Sequence, residues 1–322
     1  MKTIVTGANG FLGAWLCKRL LEEGHDVTAL VRKSSDLSEI EHLKLKYEYG
    51  DVTDKASLQS SFKDKDYVFH LAGVIAYKAA DRKLMDKVNI GGTQNVVDVL
   101  VEQKQAKLLN LSSVVAVGAS FKPVSLTEDS PYTIHDLNLG YFETKHAAEK
   151  IVTAAAQNNL IHAVSVNPST IYGFGDAKKG SRKTQVKVAR GKFPFYTDGG
   201  VNVVAAEDVV DGILKAIEKG RNGERYLLCS QNITIKELFT KIAGFAGVKA
   251  PKIFMPFPVL KLVGRIGDLT GSGISLENAY TASMYHWFTC DKAKKELGFN
   301  PRPSDIAIEN SVRWMKDNGY LD

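Results

Sequence analysis

Apolar positions fall along the chain in two alternating kinds of run. The short stretches KTIVTG, DVTALV, DYVFHLAG and AKLLNLSS are each followed by a longer periodic segment: GFLGAWLCKRLLEEG, LSEIEHL, LMDKVNIGGTQNVVDVLVEQ and YFETKHAAEKIVTAAAQ. The short runs are apolar on both faces, as strands are when helices cover a sheet from either side, and the long ones carry helical spacing. This alternation predicts an α/β fold built on a doubly wound parallel sheet. After IHAVSVNPSTIYGFGD the rhythm breaks, and helical segments such as TIKELFTKIAGFAG and PVLKLVGRIGDL dominate. Two further strand-like runs, near 202–205 and 225–229, are expected to return to the sheet. The expected division is a main domain, 1–172, and a smaller, mainly helical C-terminal lobe, 173–322.

Composition narrows the class. With 44% hydrophobic and 24% charged residues in 322, the chain reads as an ordinary globular protein long enough for a full core. Its 42 basic residues are scattered among 36 acidic ones, so the net charge of +6 forms no nucleic-acid arm and no nucleic-acid partner is expected. Cys17, Cys229 and Cys290 show no disulfide or metal-knuckle spacing, which fits a reducing cytoplasm. The opening MKTIVTGANG leaves no room for a signal or transit peptide. No apolar run approaches the ~18 residues of a membrane span, and no membrane partner is expected. The sequons at Asn110 and Asn232 are expected to be chance matches. TGSGIS, 270–275, lacks the Gly-Lys-Ser/Thr ending of a phosphate loop and is expected to be a plain loop.

The first strand runs directly into TGANGFLG, which sets Gly7, Gly10 and Gly13 at the turn into the first helix. Such glycines provide a tight turn, close backbone approach to a pyrophosphate, and close packing of helix on strand, the Rossmann-type cradle. The helix start, from Asn9 through Phe11 to Leu12, offers free amides and a positive dipole end to an anion. Nineteen residues past Gly13, where an acid often holds the ribose of NAD, the chain has Arg32, with Lys33 and Ser34 beside it. A cation there suits the 2′-phosphate of NADP(H), with NAD(H) the alternative if Arg32 is a solvated loop residue.

Tyr141 and Lys145 are four positions apart in the last long helical segment, on one face and within reach of one ligand. Taken with the motifs around it, the pair resembles the extended short-chain dehydrogenase/reductase family, in its dihydroflavonol 4-reductase-like and NAD-dependent epimerase/dehydratase-like branch. YGDVTD resembles the segment whose aspartate, here Asp51 with Val52 beside it, binds the adenine amino group. HLAG resembles the motif after the fourth strand, through Leu71, Ala72 and Gly73, and VNIGGTQNVV the helix that carries a structural asparagine, here Asn89. NPSTIYGFGD is similar to the segment that packs on the nicotinamide through Pro168 and Ile171. The resemblance implies that Ser113, with Ser112 as its neighbour, joins Tyr141 and Lys145 in catalysis. It is close over 1–176 and looser afterwards.

On this reading Lys145 lowers the tyrosine pKa, ordinarily ≈ 10, and also holds the nicotinamide ribose. Tyr141 protonates a carbonyl oxygen and Ser113 stabilises the developing alkoxide. His70 is expected to be a satisfied core or adenine-side histidine, and His146 to serve packing or face solvent. His135 is a candidate substrate contact, and the aromatics of MYHWF, 284–288, line either a pocket or the core. No metal-ligand spacing stands out. The leading expectation is an NADP(H)-dependent reductase of a small-molecule carbonyl compound, with a homodimer possible through the helices around Asn95 and Ala155. The alternatives are a nucleotide-sugar epimerase or dehydratase using the same Ser, Tyr and Lys, and a redox-sensing binding protein. Asn202 and Val117 depart from the sugar-epimerase pattern, and Gly118 departs from that of plant flavonoid reductases.

Overall fold

The computed structural model describes residues 1–178, 182–271 and 274–322. Part of the TGSGIS loop therefore lies outside the described residues. In chain order the first elements are β1 (Lys2–Thr6), α1 (Phe11–Glu22), β2 (Asp26–Val31), β3 (Lys46–Tyr49), α2 (Lys55–Ser61) and β4 (Tyr67–His70). A short α3 (Arg82–Met85) continues through a π-helical stretch, Asp86–Gly91, into α4 (Gly92–Gln103). β5 (Lys107–Leu111), α5 (Gly140–Gln157) and β6 (His162–Pro168) complete the first half.

Then follow β7 (Thr170–Tyr172), α6 (Lys183–Ala189), β8 (Phe195–Thr197), β9 (Gly200–Ala205), α7 (Ala206–Lys219), β10 (Arg225–Leu228) and β11 (Gln231–Thr234). The chain closes with α8 (Ile235–Ala246), β12 (Ile253–Met255), α9 (Phe257–Thr270), α10 (Leu276–Ser283), β13 (Tyr285–His286), α11 (Asp291–Leu297) and α12 (Ser304–Asp317).

Seven strands in the order β10-β6-β5-β4-β1-β2-β3 form one parallel sheet. Apolar side chains of α1 and α7 cover one face of it and those of α2, α4 and α5 the other. That is the doubly wound arrangement the alternating pattern predicts. Strand order reverses between β1 and β4, and in such sheets ligands sit beyond the carboxyl ends of the strands at that point.

The second half departs from the sequence expectation in one respect. β10 returns to the main sheet, but β9 does not: it pairs with β7, β11 and β13 in a separate small sheet. The cause lies in Asn202, fully buried in the middle of β9. Its Oδ1 accepts from Ser169 Oγ at 2.7 Å and from the Ser230 amide at 2.9 Å, and its Nδ2 donates to Asn232 Oδ1 at 2.7 Å. A buried amide must find such partners, and they lie on segments flanking the small sheet. α8 is fixed at its start by a capping box between Thr234 and Glu237.

Candidate active site

The turn between β1 and α1 is closed by backbone constraint. Gly7 has φ +69°, and a Cβ there would lie 2.8 Å from the Ala72 amide nitrogen. At Gly13 a Cβ would meet the Gly7 carbonyl at 2.1 Å, so helix and turn touch directly. Around Gly10 only the Gly7 oxygen is near, at 3.2 Å, which leaves the turn's outer side accessible to a ligand beside Phe11 and Leu12. Asn9 is used by the fold: its side-chain amide donates to the Asp36 carbonyl at 3.0 Å.

Arg32 and Lys33 follow β2 with exposed side chains, and neither forms a salt bridge among the described residues. Asp51 accepts from the Thr53 amide and hydroxyl at 2.8 and 2.9 Å through one oxygen. Val52 is buried beside it and its carbonyl accepts from Asn95.

Beyond β4 the loop of Leu71, Ala72 and Gly73 hangs on Thr6, whose Oγ1 accepts from the Leu71 and Ala72 amides, each at 3.1 Å. Thr6 Oγ1 lies 2.9 Å from His70 Nδ1, and His70 Nε2 lies 3.1 Å from Thr93 Oγ1, which donates to the Asn89 carbonyl. One assignment of protons satisfies the chain: Thr6 donates to Nδ1, and the Nε2 proton goes to Thr93. Burial holds this imidazole neutral, with its pKa down at about 3. His70 is thus a satisfied core histidine. Asn89 bridges the Val74 backbone at both ends of its amide and reaches Thr144 Oγ1 on α5 at 3.2 Å.

Ser113, Tyr141 and Lys145 come together beyond the carboxyl end of β5. The Ser113 hydroxyl accepts from the Val115 amide at 3.4 Å and stands close enough to the Tyr141 phenol to favour its ionised form. Lys145, one turn along α5, donates to the Leu111 carbonyl at 2.8 Å. The neighbouring Ser112 hydroxyl is buried without a partner among the described residues, which separates the two serines by role. Pro168 ends β6 and is buried, and Ile171, on β7, is half-buried.

Burial dominates the electrostatics of the pair. Burial pushes the Tyr141 phenol up to about 12, with the nearby Ser113 hydroxyl acting downward. Burial pulls Lys145 down to about 8, against the opposing pull of Glu149. The lysine is held at the Leu111 carbonyl and lies near His70.

Three groups that sequence reasoning missed support this trio. Glu149 pairs with Arg225 at 3.0 Å and accepts from Asn167, whose amide also donates to the Ser113 carbonyl at 2.9 Å. Its position four residues after Lys145 was the available signal. Glu277, on α10, accepts from the Tyr141 amide at 3.2 Å. α5 has no side-chain cap of its own at Leu139, so this carboxylate supplies one at the positive end of the helix dipole. The ring of Tyr77 stands edge-on to that of Tyr141, centroids 6.0 Å apart.

The weaker candidates resolve into packing. His146 bonds the Ala116 carbonyl and stacks on Tyr132 at 4.2 Å, while the exposed His135 packs edge-on against the same tyrosine. In MYHWF, Met284, His286 and Phe288 are buried and Trp287 donates to the Ile233 carbonyl.

Known proteins place this geometry. The chain is 28% identical over 98% of its length to a Synechocystis protein assigned provisionally as a dihydroflavonol 4-reductase, covering 95% of that protein. It is 30% identical to anthocyanidin reductase of Arabidopsis thaliana, over 78% of this chain and 81% of that one. The crystal structure of gox2253 superposes with a TM-score of 0.89 at 32% identity and covers 99% of both chains. The model of the NAD-dependent epimerase/dehydratase family matches residues 3–229, the stretch that holds the glycine turn, Ser113, Tyr141 and Lys145. With that match spanning most of its length, the chain belongs to the NAD-dependent epimerase/dehydratase family, whose members are nicotinamide-dependent enzymes.

Proposed function

We propose that the protein is an NADP(H)-dependent reductase of the carbonyl group of a small aldehyde or ketone. The observation that carries this reading is the convergence of Ser113, Tyr141 and Lys145 beyond the carboxyl end of β5, with Tyr141 and Lys145 one turn apart on α5 and Lys145 held at the Leu111 carbonyl. When bound, the nicotinamide supplies the hydride. Tyr141, pushed up to about 12, keeps its proton at neutral pH and passes it to the carbonyl oxygen, so that one hydride and one proton complete the alcohol. Ser113 donates a hydrogen bond to the same oxygen as negative charge develops there. Lys145 orients the nicotinamide ribose, and the accessible glycine turn takes the pyrophosphate. Arg32 and Lys33, exposed without an acidic partner among the described residues, support a 2′-phosphate and hence NADP(H).

Reduction is favoured over nucleotide-sugar rearrangement because Asn202 is engaged inside the small sheet and presents no charge to a diphosphate. Two of the relatives carry the names of reductases. The test is one preparation run against two panels. Carbonyl-dependent loss of NADPH absorbance, with UDP- and dTDP-sugars unchanged, is expected. Epimer or dehydration product from a nucleotide sugar, with no carbonyl-dependent oxidation of NADPH, would overturn the reading.

A further inference from the structure

Among the described residues, most of the large apolar side chains left exposed lie in 121–124 and 253–274. The centre of this region is α9. Leu260 and Gly264 face inward, and a Cβ on Gly264 would come within 2.9 Å of the Leu276 backbone. Val259, Leu262, Val263, Ile266 and Leu269 face outward at helical spacing, Leu269 with 88% of its surface exposed. Phe121 extends the patch towards α10, its ring 5.7 Å from Phe257 and 6.3 Å from Tyr280.

The charge around this face is mainly positive. Lys122, Lys252, Lys261 and Arg265 surround it, and none makes a salt bridge among the described residues. Lys261 instead lies over the rings of Phe257 and Tyr280, at 5.9 and 5.4 Å. The one carboxylate on α9, Asp268, is occupied by the Leu276 amide. A second copy docking face to face would set these cations against their own equivalents. A bilayer with anionic headgroups meets both features, because the apolar stripe enters the acyl boundary while the cations remain at phosphate level.

We infer that α9 and its flanking loops form a docking surface for an anionic membrane, on which the helix lies parallel to the interface. No helix among the described residues is long and apolar enough to cross a membrane. The sequence expectation of no membrane partner rested on that lack of a span, which speaks to crossing and not to docking.

The docking face adjoins the chemistry. α10 follows α9; its cap Ser275 donates to the Tyr77 carbonyl at 2.6 Å, and Glu277 holds the Tyr141 amide. If the reductase reading holds, the substrate class becomes a lipophilic aldehyde or ketone that reaches Tyr141 from the bilayer. That last step rests on the reductase reading; the docking does not.

The experiment is flotation of the full chain with phosphatidylcholine vesicles, with and without phosphatidylglycerol. Flotation with the anionic vesicles only, falling as salt is added, is expected. The variant Leu262→Asn/Ile266→Asn/Leu269→Asn should bind at least about tenfold more weakly while unfolding at the wild-type temperature, and Arg265→Gln about fivefold more weakly. Wild-type protein that stays out of the vesicle fraction overturns the inference, as does salt-independent flotation. A concentration-dependent dimer abolished by the triple variant, without vesicle binding, assigns the face to a second copy instead. Flotation is read without turnover, so its result is independent of whether the carbonyl panel succeeds.

Discussion

The nucleotide-binding half and the C-terminal lobe hold their functional groups by opposite means. In the first half the groups are neighbours in sequence: Gly7, Gly10 and Gly13 lie in one turn, and Tyr141 and Lys145 on one turn of α5. In the lobe the equivalent contacts span the chain. Glu277 reaches a backbone amide 136 residues away, and Ser275 a carbonyl 198 residues away. The difference separates reactivity from aim. Local spacing sets the proposed proton donor beside Lys145, and a distant carboxylate caps the helix on which it stands.

The largest effect should come from Tyr141→Phe, which keeps the ring against Tyr77 and removes the proton. Turnover is expected to fall by ~10² to 10⁴-fold with cofactor affinity unchanged, as read by steady-state rates and a fluorescence titration. A variant within a few fold of wild type would place the chemistry outside the local trio. Next in size is Arg32→Ala. A charge-assisted contact to a 2′-phosphate corresponds to a roughly ten- to hundredfold preference for NADPH over NADH, and the substitution should erase it without changing kcat. Equal affinities in the unmodified protein would return Arg32 to a solvated loop role and leave NAD(H) as the coenzyme.

The smallest effect tests the lobe. Glu277→Gln keeps an acceptor but loses the charge at the start of α5, a change of ~1 kcal/mol that should lower kcat roughly fivefold. Cofactor affinity should stay constant, because the glycine turn is built without the lobe. A shift in melting temperature at unchanged kcat would reduce Glu277 to a structural cap.

What could be read from the sequence follows the same division. The parallel sheet, the glycine turn and the Tyr141–Lys145 pair rest on spacings of a few residues, whereas Ser113 entered only through the family resemblance; the structure gathers Ser113, Tyr141 and Lys145 beyond the carboxyl end of β5. β9 was misplaced because an apolar run reads the same in any sheet, and the partners that hold Asn202 in the small sheet lie about 30 residues away on either side. Glu277 and the pairing of Glu149 with Arg225 carry no local mark, since acids and bases on helices ordinarily face solvent. Spacing places Tyr141 and Lys145 on one face, while burial and the Leu111 carbonyl, which no local pattern marks, set the surroundings of each side chain.

The chain of hydrogen bonds through His70 has a consequence for acid tolerance. An unfolded histidine takes a proton near 6.5, whereas the buried ring, at about 3, resists it. Between those values the unfolded chain holds a proton that the folded one lacks. The stability this residue contributes is complete above 6.5 and drains away as pH falls towards 3, by up to ~1.4 kcal/mol per pH unit. Protonation also ends the hydrogen bond from Thr6, the same hydroxyl that anchors the Leu71 and Ala72 amides. His286, buried in the lobe, is shifted in the same direction by the same cause. Acid therefore works against both halves together, and only below about 3, where the folded ring itself takes a proton, does the anchor of the loop after β4 come loose.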